Sequence, residues 1–508
     1  MKLKNKILSI INRKGKSLRN IARETQIPKS TVHYHKQKMD KRIEVSGTDF
    51  WETDIGNEFI TRLVIASIFI FCIKSGNGAQ KLLDFFSLLK LDCYLPGSQT
   101  SILNIIRHIE GLILDYKKAK EQEIKSKMVE IELILGVDET WFDKMYLVCI
   151  ELSSGFILFE KTSVKRDATT WNEHIKGIFS LLPKATIRYF VSDRAKALVN
   201  LATILHKVVS VADCFHFKYC INKLLSLALA SKLQFSNLKF KEALEAESSE
   251  AIEKHSEKYA YIQYNTDVYV ESMSNISQII HPFHRGNQYK TSQIAAEEVH
   301  EELSKIKRVI ENCDIEDKKK LLAKAESQIA DVVSVIDLWE QLKDETITKI
   351  NIPAQTKHWF ANYLLPKTYW ESVIKRTKHK ATKERIKKEL EKCNKIDQKQ
   401  YIQPEIANLE SQRLKDIAMN LCRKFQRASS QVEGRNGYLA LMNHNQRSFD
   451  EQRLNVLTVI HNFDTRGIDG KTPAERLFGK DIQFNPLFDY IMENVKDLPR
   501  PQRKLLTC

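Results

Sequence analysis

The hydrophobic pattern changes period along the chain and predicts a β-rich segment between two helical regions. From residue 131 the apolar residues form short continuous runs, the pattern of strands that are buried on both faces. The five runs are IELILGVD (131–138), MYLVCIEL (145–152), GFILFEK (155–161), TIRYFVSD (186–193) and VVSVAD (208–213). Helical spacing over 169–182 and 195–206 alternates with the later runs. We therefore expect a five-stranded mixed sheet with right-handed helical crossovers.

Helical spacing dominates on both sides of this predicted sheet. Residues 46–128 contain two amphipathic helices joined by a Pro-Gly turn, either a second DNA-binding or dimerisation element or simple packing. Residues 217–420 are rich in Lys, Glu, Leu and Ala at helical spacing, which predicts a large all-α insertion. The predicted domains are 1–45, 46–128, 129–216, 217–420, 421–480 and a C-terminal tail, 481–508.

The first 45 residues combine a strong positive charge with a helix-turn-helix pattern. They hold thirteen Lys and Arg residues against three acidic ones. The string IARETQIPKSTV (21–32) has a small residue where two helices would cross and a β-branched anchor in the second helix, although Gln26 stands where glycine is the commoner turn residue. The second helix of such a motif enters the major groove. The side chains expected to contact DNA are Lys29, Ser30, Thr31, His33, Tyr34 and Lys36.

The charge and the cysteine content narrow the class of protein. The net charge of +16 favours an anionic partner, nucleic acid before a membrane surface. A second basic run, 375–395, has ten basic and three acidic residues and is either a solvated helix face or a DNA-binding patch.

Nine cysteines without a C-x-x-C pair indicate reduced thiols and argue against zinc. The most apolar stretch, 60–73, is too short to span a bilayer. We therefore expect a cytoplasmic protein without a membrane partner.

Two carboxylates lie at the ends of strands that the predicted topology makes neighbours. Asp138 ends the first strand and Asp193 ends the fourth. Two such carboxylates repel each other unless a cation lies between them. Oxygen ligands without Cys or His suit Mg²⁺ or Mn²⁺. The alternative is that each aspartate only caps the turn that follows its strand.

Several strings together resemble the DDE transposases of bacterial insertion sequences. They are GVDETWF around Asp138, VSDRAKAL around Asp193, SSQVEGRNG around Glu433, and the closing segment HNFDTRGIDGKTPAERLFG (461–479). Asp213-Cys214-Phe215-His216 is similar to the C/D-x-x-H signature of the hAT superfamily and related transposases. The resemblance implies a ribonuclease H-like catalytic domain interrupted by an α-helical insertion before the final catalytic glutamate.

The resemblance also implies a site and a reaction. Asp138, Asp193 and Glu433 would be the catalytic carboxylates and would hold two Mg²⁺ or Mn²⁺ ions per site, which clamp the attacking and leaving oxygens of a phosphoryl transfer. His216 and Asp213 would be auxiliary, and Arg194 and Arg435 would contact DNA phosphates. We expect Trp141 to fill the edge of the sheet, with stacking on a flipped base as the alternative.

The expected function is that of a transposase that binds terminal repeats, then cuts and joins DNA. Its partners would be double-stranded DNA at the transposon ends and the target, with a homodimer on paired ends. Two alternatives remain: a domesticated, catalytically inactive transposase that regulates through DNA binding, and a structure-selective nuclease on the same scaffold.

Overall fold

The computed structural model describes residues 17–26, 28–33, 53–89, 91, 95, 98–315, 319–400, 408–446, 450–479 and 482–495. In these ranges the chain is mostly helical and contains a five-stranded mixed sheet. It divides into two compact units. The first takes in 1–119, 441–460 and 485–508, and the second 120–440 and 461–484. The sheet and the helices that follow it therefore belong to one unit, where the sequence suggested separate domains.

The elements of the described ranges are numbered in chain order. The helices α1 to α19 are Leu18–Thr25, Asp54–Ser67, Ala79–Leu88, Gln99–Lys127, Ala168–Leu181, Lys196–Asn200, Cys214–Glu245, Ser249–Ile279, Ser292–Asn312, Lys319–Glu326, Ile329–Lys349, Ala354–Trp359, Leu365–Arg376, Lys380–Gln400, Asn408–Lys424, Ser430–Gln446, Glu451–Phe463, Pro473–Phe478 and Leu487–Asn494. The strands β1 to β7 are Ile131–Trp141, Met145–Glu151, Phe156–Ser163, Ala185–Ser192, Val209–Ala212, Phe283–His284 and Gln288–Tyr289. Three π-helical segments, Ile68–Lys74, Leu201–Leu205 and Phe360–Leu364, extend α2, α6 and α12.

The sheet has the order β3-β2-β1-β4-β5. β1 is antiparallel to β2 and parallel to β4, and β4 is parallel to β5. The predicted five-stranded mixed sheet is confirmed, and the fourth strand does lie beside the first. The continuous apolar runs explain this arrangement, because β1 and β2 are largely buried and need cover on both faces.

Gly136 of β1 allows helix α16 to approach the sheet closely. A Cβ atom at this position would lie 2.5 Å from Leu152 Cδ2 and 3.0 Å from Val432 Cγ2. Val432 is fully buried, in the first turn of α16. The side chain of Gln431 also donates a hydrogen bond to the backbone oxygen of Leu152. The absence of a side chain at position 136 thus fixes how closely α16 packs on β1.

The helices after β5 extend the hydrophobic core of the sheet instead of forming a separate one. One continuous cluster contains sheet residues such as Val148 and Tyr189 together with buried residues of the helices α7 to α16. Its centre is aromatic, with Phe283, Trp339 and Tyr369 in edge-to-face or tilted contact. The predicted helical insertion is therefore present as helices that share a core with the sheet.

Two details of this helical region differ from the prediction. Helix α7 begins at Cys214, because the side chain of Asp213 accepts a hydrogen bond from the backbone N–H of Phe215 and caps it. A short hairpin, β6–β7, interrupts the helices where an all-α region was expected. Its turn includes Gly286 at a φ of 92°, and Trp370 Nε1 donates to the Gly286 oxygen at 2.6 Å. Two-residue strands carry too little periodicity to be recognised in a sequence.

The segment 461–479 covers the edge strand β3. The Asn462 side chain bonds both backbone groups of Ile157, at 2.8 and 2.9 Å, as a neighbouring strand would. Phe463 and Phe478 pack edge-on against Phe156. The expected short helix is α18, which begins with a capping box.

In the first unit, one helix of the described residues is long and apolar enough to cross a membrane by length and composition alone. It is Asp54–Lys74, α2 with its π-helical extension, 21 residues in length. The expectation that this stretch is too short to span a bilayer was therefore wrong. Of its most apolar window, 44% is buried inside the structure. Arg453 donates to the backbone oxygens of Cys72 and Ile73 at 2.9 and 2.6 Å, contacts that a core helix makes.

The N-terminal segment contains two short helices with a turn between them. Ser17 caps α1, and Gln26 ends it with a φ of 56° and a ψ of 30°, the left-handed conformation for which glycine is common. Residues 29–33 are helical. Ile21 and Val32 bury each other, as the sequence pattern requires. Thus a turn of the expected kind forms although its residue is glutamine.

We predict that Gly136→Ala lowers the free energy of unfolding by about 1–3 kcal/mol, because the added methyl group overpacks the contact with Leu152 and Val432. Urea denaturation measures the change. Gly177→Ala is the matched control: nothing lies within 4 Å of its Cβ position inside α5, so that variant should be slightly more stable than the wild type. Equal stability of the two variants would contradict the close packing of α16.

Candidate active site

The register of the parallel strands brings the two aspartates together. Gly136 of β1 pairs with Val191 of β4, the last pair of that ladder. Two residues further along each strand are Asp138 and Asp193, so we infer that they are side by side at the carboxyl end of the ladder, where strands are about 4.8 Å apart. β1 itself continues to Trp141 because its pairing with β2 persists. Asp138 therefore lies just beyond the end of the parallel ladder and not at the end of its strand.

Asp193 also caps the turn after its strand, as the alternative interpretation requires. Its Oδ1 accepts a hydrogen bond from the backbone N–H of Ala195 at 2.9 Å. Arg194, between them, has a φ of 70°, a conformation uncommon for a residue with a side chain. Its guanidinium bonds the Ser210 oxygen at 3.0 Å and pairs with Asp331 at 2.6 Å. These contacts direct Arg194 toward the protein, where a phosphate contact had been expected.

Glu433 lies in the first turn of α16, whose start is anchored to the sheet by Gln431 and Val432. Its Oε1 is 3.4 Å from Nε2 of His216. The structure thus brings Glu433 to His216, which lies in the first turn of α7.

Asp213 joins the two helix starts. It is almost fully buried and accepts hydrogen bonds from the Ser429 N–H at 3.0 Å, the Ser429 hydroxyl and the Phe215 N–H. Its Oδ2 is also 3.3 Å from His216 Nδ1. A continuous chain of contacts therefore runs from Ser429 through Asp213 and His216 to Glu433, and it positions the Glu433 carboxylate. Asp213 and His216 are thus connected to Glu433, Asp213 through His216 and His216 by direct contact.

These contacts raise the pKa of His216 and lower the pKa of Asp213. The hydrogen bond to Asp213 raises the pKa of His216 to about 9, against the effect of burial and with help from the charges of Asp213, Glu433 and Asp138. Burial would raise the pKa of Asp213, but its hydrogen bonds to His216 and Ser429 outweigh burial and lower it. The imidazole is therefore a cation at neutral pH and donates on both nitrogens.

The carboxylates are coupled electrostatically. Burial raises the pKa of Asp138, the charges of Glu433 and Asp193 act in the same direction and His216 opposes them, so that the pKa of Asp138 is about 7. A half-buried carboxylate near two others holds a proton more tightly, because like charges repel. Asp138, Asp193 and Glu433 therefore form one electrostatic cluster, as the sequence suggested.

Asn436 belongs to this cluster, and sequence reasoning missed it. Its Nδ2 donates to Asp138 Oδ2 at 2.9 Å. It lies three residues after Glu433, on the same face of α16, so the spacing was a usable signal. Its side chain is 8% exposed, and its Oδ1 is buried without a hydrogen-bond partner in the described part of the chain. Asn436 holds Asp138 in place and leaves a neutral oxygen without a partner beside it.

The oxygen donors of this cluster are of the kind that binds a divalent cation. The donors are carboxylate oxygens that repel one another, and the partnerless amide oxygen of Asn436 is a further hard ligand. In the part of the chain that the structure describes, no group of three or more His, Cys, Asp or Glu side chains is spaced to hold a metal ion. Instead, Asp138 accepts a hydrogen bond from Asn436, and Glu433 contacts His216.

Arg435 requires a correction. Expected to contact DNA, it is 4% exposed and makes a bidentate ion pair with the equally buried Glu160, at 2.6 and 2.7 Å. Its guanidinium also lies over the ring of Tyr438. An arginine enclosed in this way ties α16 to β3 and is not available to a phosphate.

Trp141 also differs from expectation. It was expected to pack at the sheet edge, yet it is 63% exposed at the end of β1. Packing at the sheet edge is therefore the wrong interpretation for Trp141.

The remaining DNA-binding candidates are at the N-terminus and in α14. Lys29, Ser30 and His33 are exposed and Thr31 is half-buried, while Tyr34 and Lys36 lie outside the described residues. In the basic run 375–395, Lys387 and Lys392 pair with glutamates one turn away, and Arg385 bonds the Ser274 hydroxyl at 2.7 Å. Part of this run is thus engaged within the protein.

Comparison with known proteins adds one match. Residues 360–506 match the model of a family of unknown function, DUF6399. The matched part contains Glu433 and Asn436 but neither aspartate of the cluster, and it covers less than half of the chain. No curated protein and no solved structure gave a significant match. The description of this family assigns no activity.

We predict that Arg435→Met lowers the free energy of unfolding by about 3–5 kcal/mol, because it removes the bidentate ion-pair partner of the buried carboxylate of Glu160. Chemical denaturation measures this. The double variant Arg435→Met with Glu160→Leu should recover most of the loss, since neither charge is then buried alone. A single variant as stable as the wild type would refute the structural role of the pair.

We also predict that Asn436→Asp makes the melting temperature depend on Mg²⁺. The change is nearly isosteric and adds a carboxylate beside Asp138, so without a divalent cation the variant should melt below the wild type. Mg²⁺ should raise its melting temperature more than it raises that of the wild type, because bound cation stabilises the folded state. Differential scanning fluorimetry in EDTA and in MgCl₂ measures both. Asn443→Asp, two turns further along α16, is the control and should show no such recovery.

Proposed function

We propose that this protein is a DNA transposase with a ribonuclease H-like catalytic domain, similar to the DDE transposases of bacterial insertion sequences. In this proposal it binds the ends of its element, cuts DNA at those ends and joins them to a target. Asp138, Asp193 and Glu433 are the catalytic carboxylates, and the protein works as a homodimer in the cytoplasm.

The observation that carries the proposal is the convergence of three carboxylates from distant parts of the chain. The β1–β4 register aligns Asp138 with Asp193, and the charge of Glu433 raises the pKa of Asp138 together with that of Asp193. Glu433 is 240 positions beyond Asp193 in the sequence. Like charges held close together destabilise a folded protein unless a ligand compensates them, so the assembly of these carboxylates favours a functional site over a structural one.

The topology supports the ribonuclease H-like fold. The resemblance implies a mixed sheet whose first and fourth strands are neighbours, followed by a helical insertion and then a helix with the final glutamate. The order β3-β2-β1-β4-β5, the helices α7 to α15 and the packing of α16 on β1 agree with each of these points.

The N-terminal segment supports DNA recognition. The buried contact between Ile21 and Val32 across the turn at Gln26 is the packing that a helix-turn-helix needs. Lys29, Ser30 and His33 are exposed on the second helical segment, where such a motif reads base edges.

Each residue of the site has a distinct task in this proposal. The three carboxylates bind Mg²⁺ or Mn²⁺, with two ions implied by the resemblance, and bound cations would activate a water and neutralise charge on the phosphate. His216, held by Asp213, orients Glu433 and carries a proton at neutral pH. Asn436 orients Asp138. No covalent protein intermediate is needed, so these residues bind, orient and hold protons.

One observation favours a second candidate, a catalytically inactive DNA-binding regulator. The described carboxylates are not spaced to hold a metal ion, and His216 and Asn436 already contact two of them. A protein that had lost its chemistry would retain DNA binding through the N-terminal segment without any dependence on Mg²⁺.

We predict that the wild type cleaves DNA carrying the flanks of its coding region in the presence of Mg²⁺. Asp138→Ala should lower the cleavage rate by at least about a hundredfold, since losing even a supporting partner of a metal ligand costs up to that much. Gel analysis of end-labelled DNA measures the rate. Asp416→Ala, an exposed carboxylate on α15, is the control and should cleave normally. Unchanged cleavage by Asp138→Ala would reject the site, and DNA binding without cleavage by the wild type would favour the regulator.

A further inference from the structure

An exposed aromatic and basic stripe begins directly beside the carboxylate cluster. It consists of Phe215, Tyr219 and Lys223, which follow one another at four-residue intervals along the first turns of α7. This spacing puts the three side chains on one face of the helix. Phe215 is 50% exposed and Tyr219 is 45% exposed, so two large rings face solvent where burial would be the favourable state.

The geometry of the stripe is that of a stacked platform. The rings of Phe215 and Tyr219 are nearly parallel, with 17° between their planes and 6.0 Å between their centroids. Lys223 Nζ lies 5.4 Å from the centroid of the Tyr219 ring, a cation–π contact that keeps the ammonium on the stripe. The stripe therefore offers flat aromatic faces together with a positive charge.

His216 connects the stripe to the candidate active site. His216 follows Phe215 in the chain, their ring centroids are 5.6 Å apart, and His216 contacts Glu433. A ligand on the Phe215 ring would thus lie next to the group that orients a catalytic carboxylate.

The charge of the helix indicates what the ligand is. From 214 to 241, α7 has five lysines and no acidic residue. A protein partner would require only an apolar face, whereas stacked aromatic rings beside lysines suit a polyanion whose bases are unpaired and can lie on the rings. A fully paired duplex hides its base faces and could use only the charge.

We propose that Phe215, Tyr219 and Lys223 form a binding platform for unpaired nucleotides of DNA next to the active site. This inference rests on the proposed function, because it names the form of DNA that the same site takes. The platform would hold bases that come free when a DNA end opens or is cut, and it would guide that strand toward the carboxylates.

The test uses the full-length protein in EDTA, so that binding is measured without cleavage. The probes are a short duplex with a single-stranded overhang containing 2-aminopurine and the same duplex with a blunt end. The wild type should bind the overhang at least about tenfold more tightly than the blunt duplex and should quench the fluorescence of 2-aminopurine by stacking.

The double variant Phe215→Ala with Tyr219→Ala should lose this preference and the quenching, while its affinity for the blunt duplex stays the same. Tyr219→Phe should retain both, because only the flat ring is needed. Phe235→Ala removes another exposed ring of α7, 57% exposed and farther from the site, and should behave as the wild type does. Circular dichroism confirms that each variant is folded.

Three results would overturn the inference. One is a double variant that still prefers the overhang, and another is an equal loss of affinity for both probes. The third is a changed oligomeric state by light scattering with unchanged DNA binding, which would make the stripe a protein interface. A failure of the proposed function is distinguishable, because it would appear as an absence of Mg²⁺-dependent cleavage while the preference for the overhang, measured in EDTA, persisted.

Discussion

The hydrogen bonds between Asp213 and Ser429 are the interaction on which the candidate site depends. They join residues 216 positions apart, the end of β5 and the start of α16. The same aspartate caps α7 and holds His216, so one buried carboxylate sets the position of two helices and of the imidazole that contacts Glu433. Buried polar networks are specific because each member is costly to leave unsatisfied. This junction therefore acts together with the contacts of Gln431, Val432 and Arg435 to hold Glu433 near the aspartates.

The candidate site brings charges of the same sign close together, which by itself disfavours the folded state. A chain with a net charge of +16 gathers three carboxylates at one point of a buried sheet, and the pKa of Asp138 rises to about 7, first through burial and then through its neighbours. His216 supplies a compensating positive charge, and its own pKa rises chiefly through the hydrogen bond with Asp213. By contrast, Arg435, only two residues after Glu433, is neutralised by Glu160 and supports the packing of α16. Two charged residues near the start of α16 thus have different roles: Glu433 belongs to the candidate site, and Arg435 holds the helix against the sheet.

The helices between β5 and α16 also have a structural role that is independent of any chemistry. They share a single hydrophobic cluster with one side of the sheet, centred on Trp339, Tyr369 and Phe283. An insertion that was only appended to the sheet would have a core of its own. Because the core is shared, the helices hold α16 against β1 over a long stretch of intervening sequence, and Gly136 makes the final contact close.

Local patterns in the sequence determined the elements, and only the tertiary structure decided their contacts. Continuous apolar runs identified all five strands of the main sheet, because burial on both faces leaves an unmistakable run of Val, Ile, Leu and Phe. They also located Asp138, Asp193 and Asp213 near strand ends. No periodicity could reveal that Arg435 pairs with Glu160 or that Trp141 faces solvent, since these depend on which surfaces meet across the fold. Long-range pairing of polar side chains has no local signature, because the partner lies up to hundreds of residues away, and this is why the contacts that position the site residues became visible only in three dimensions.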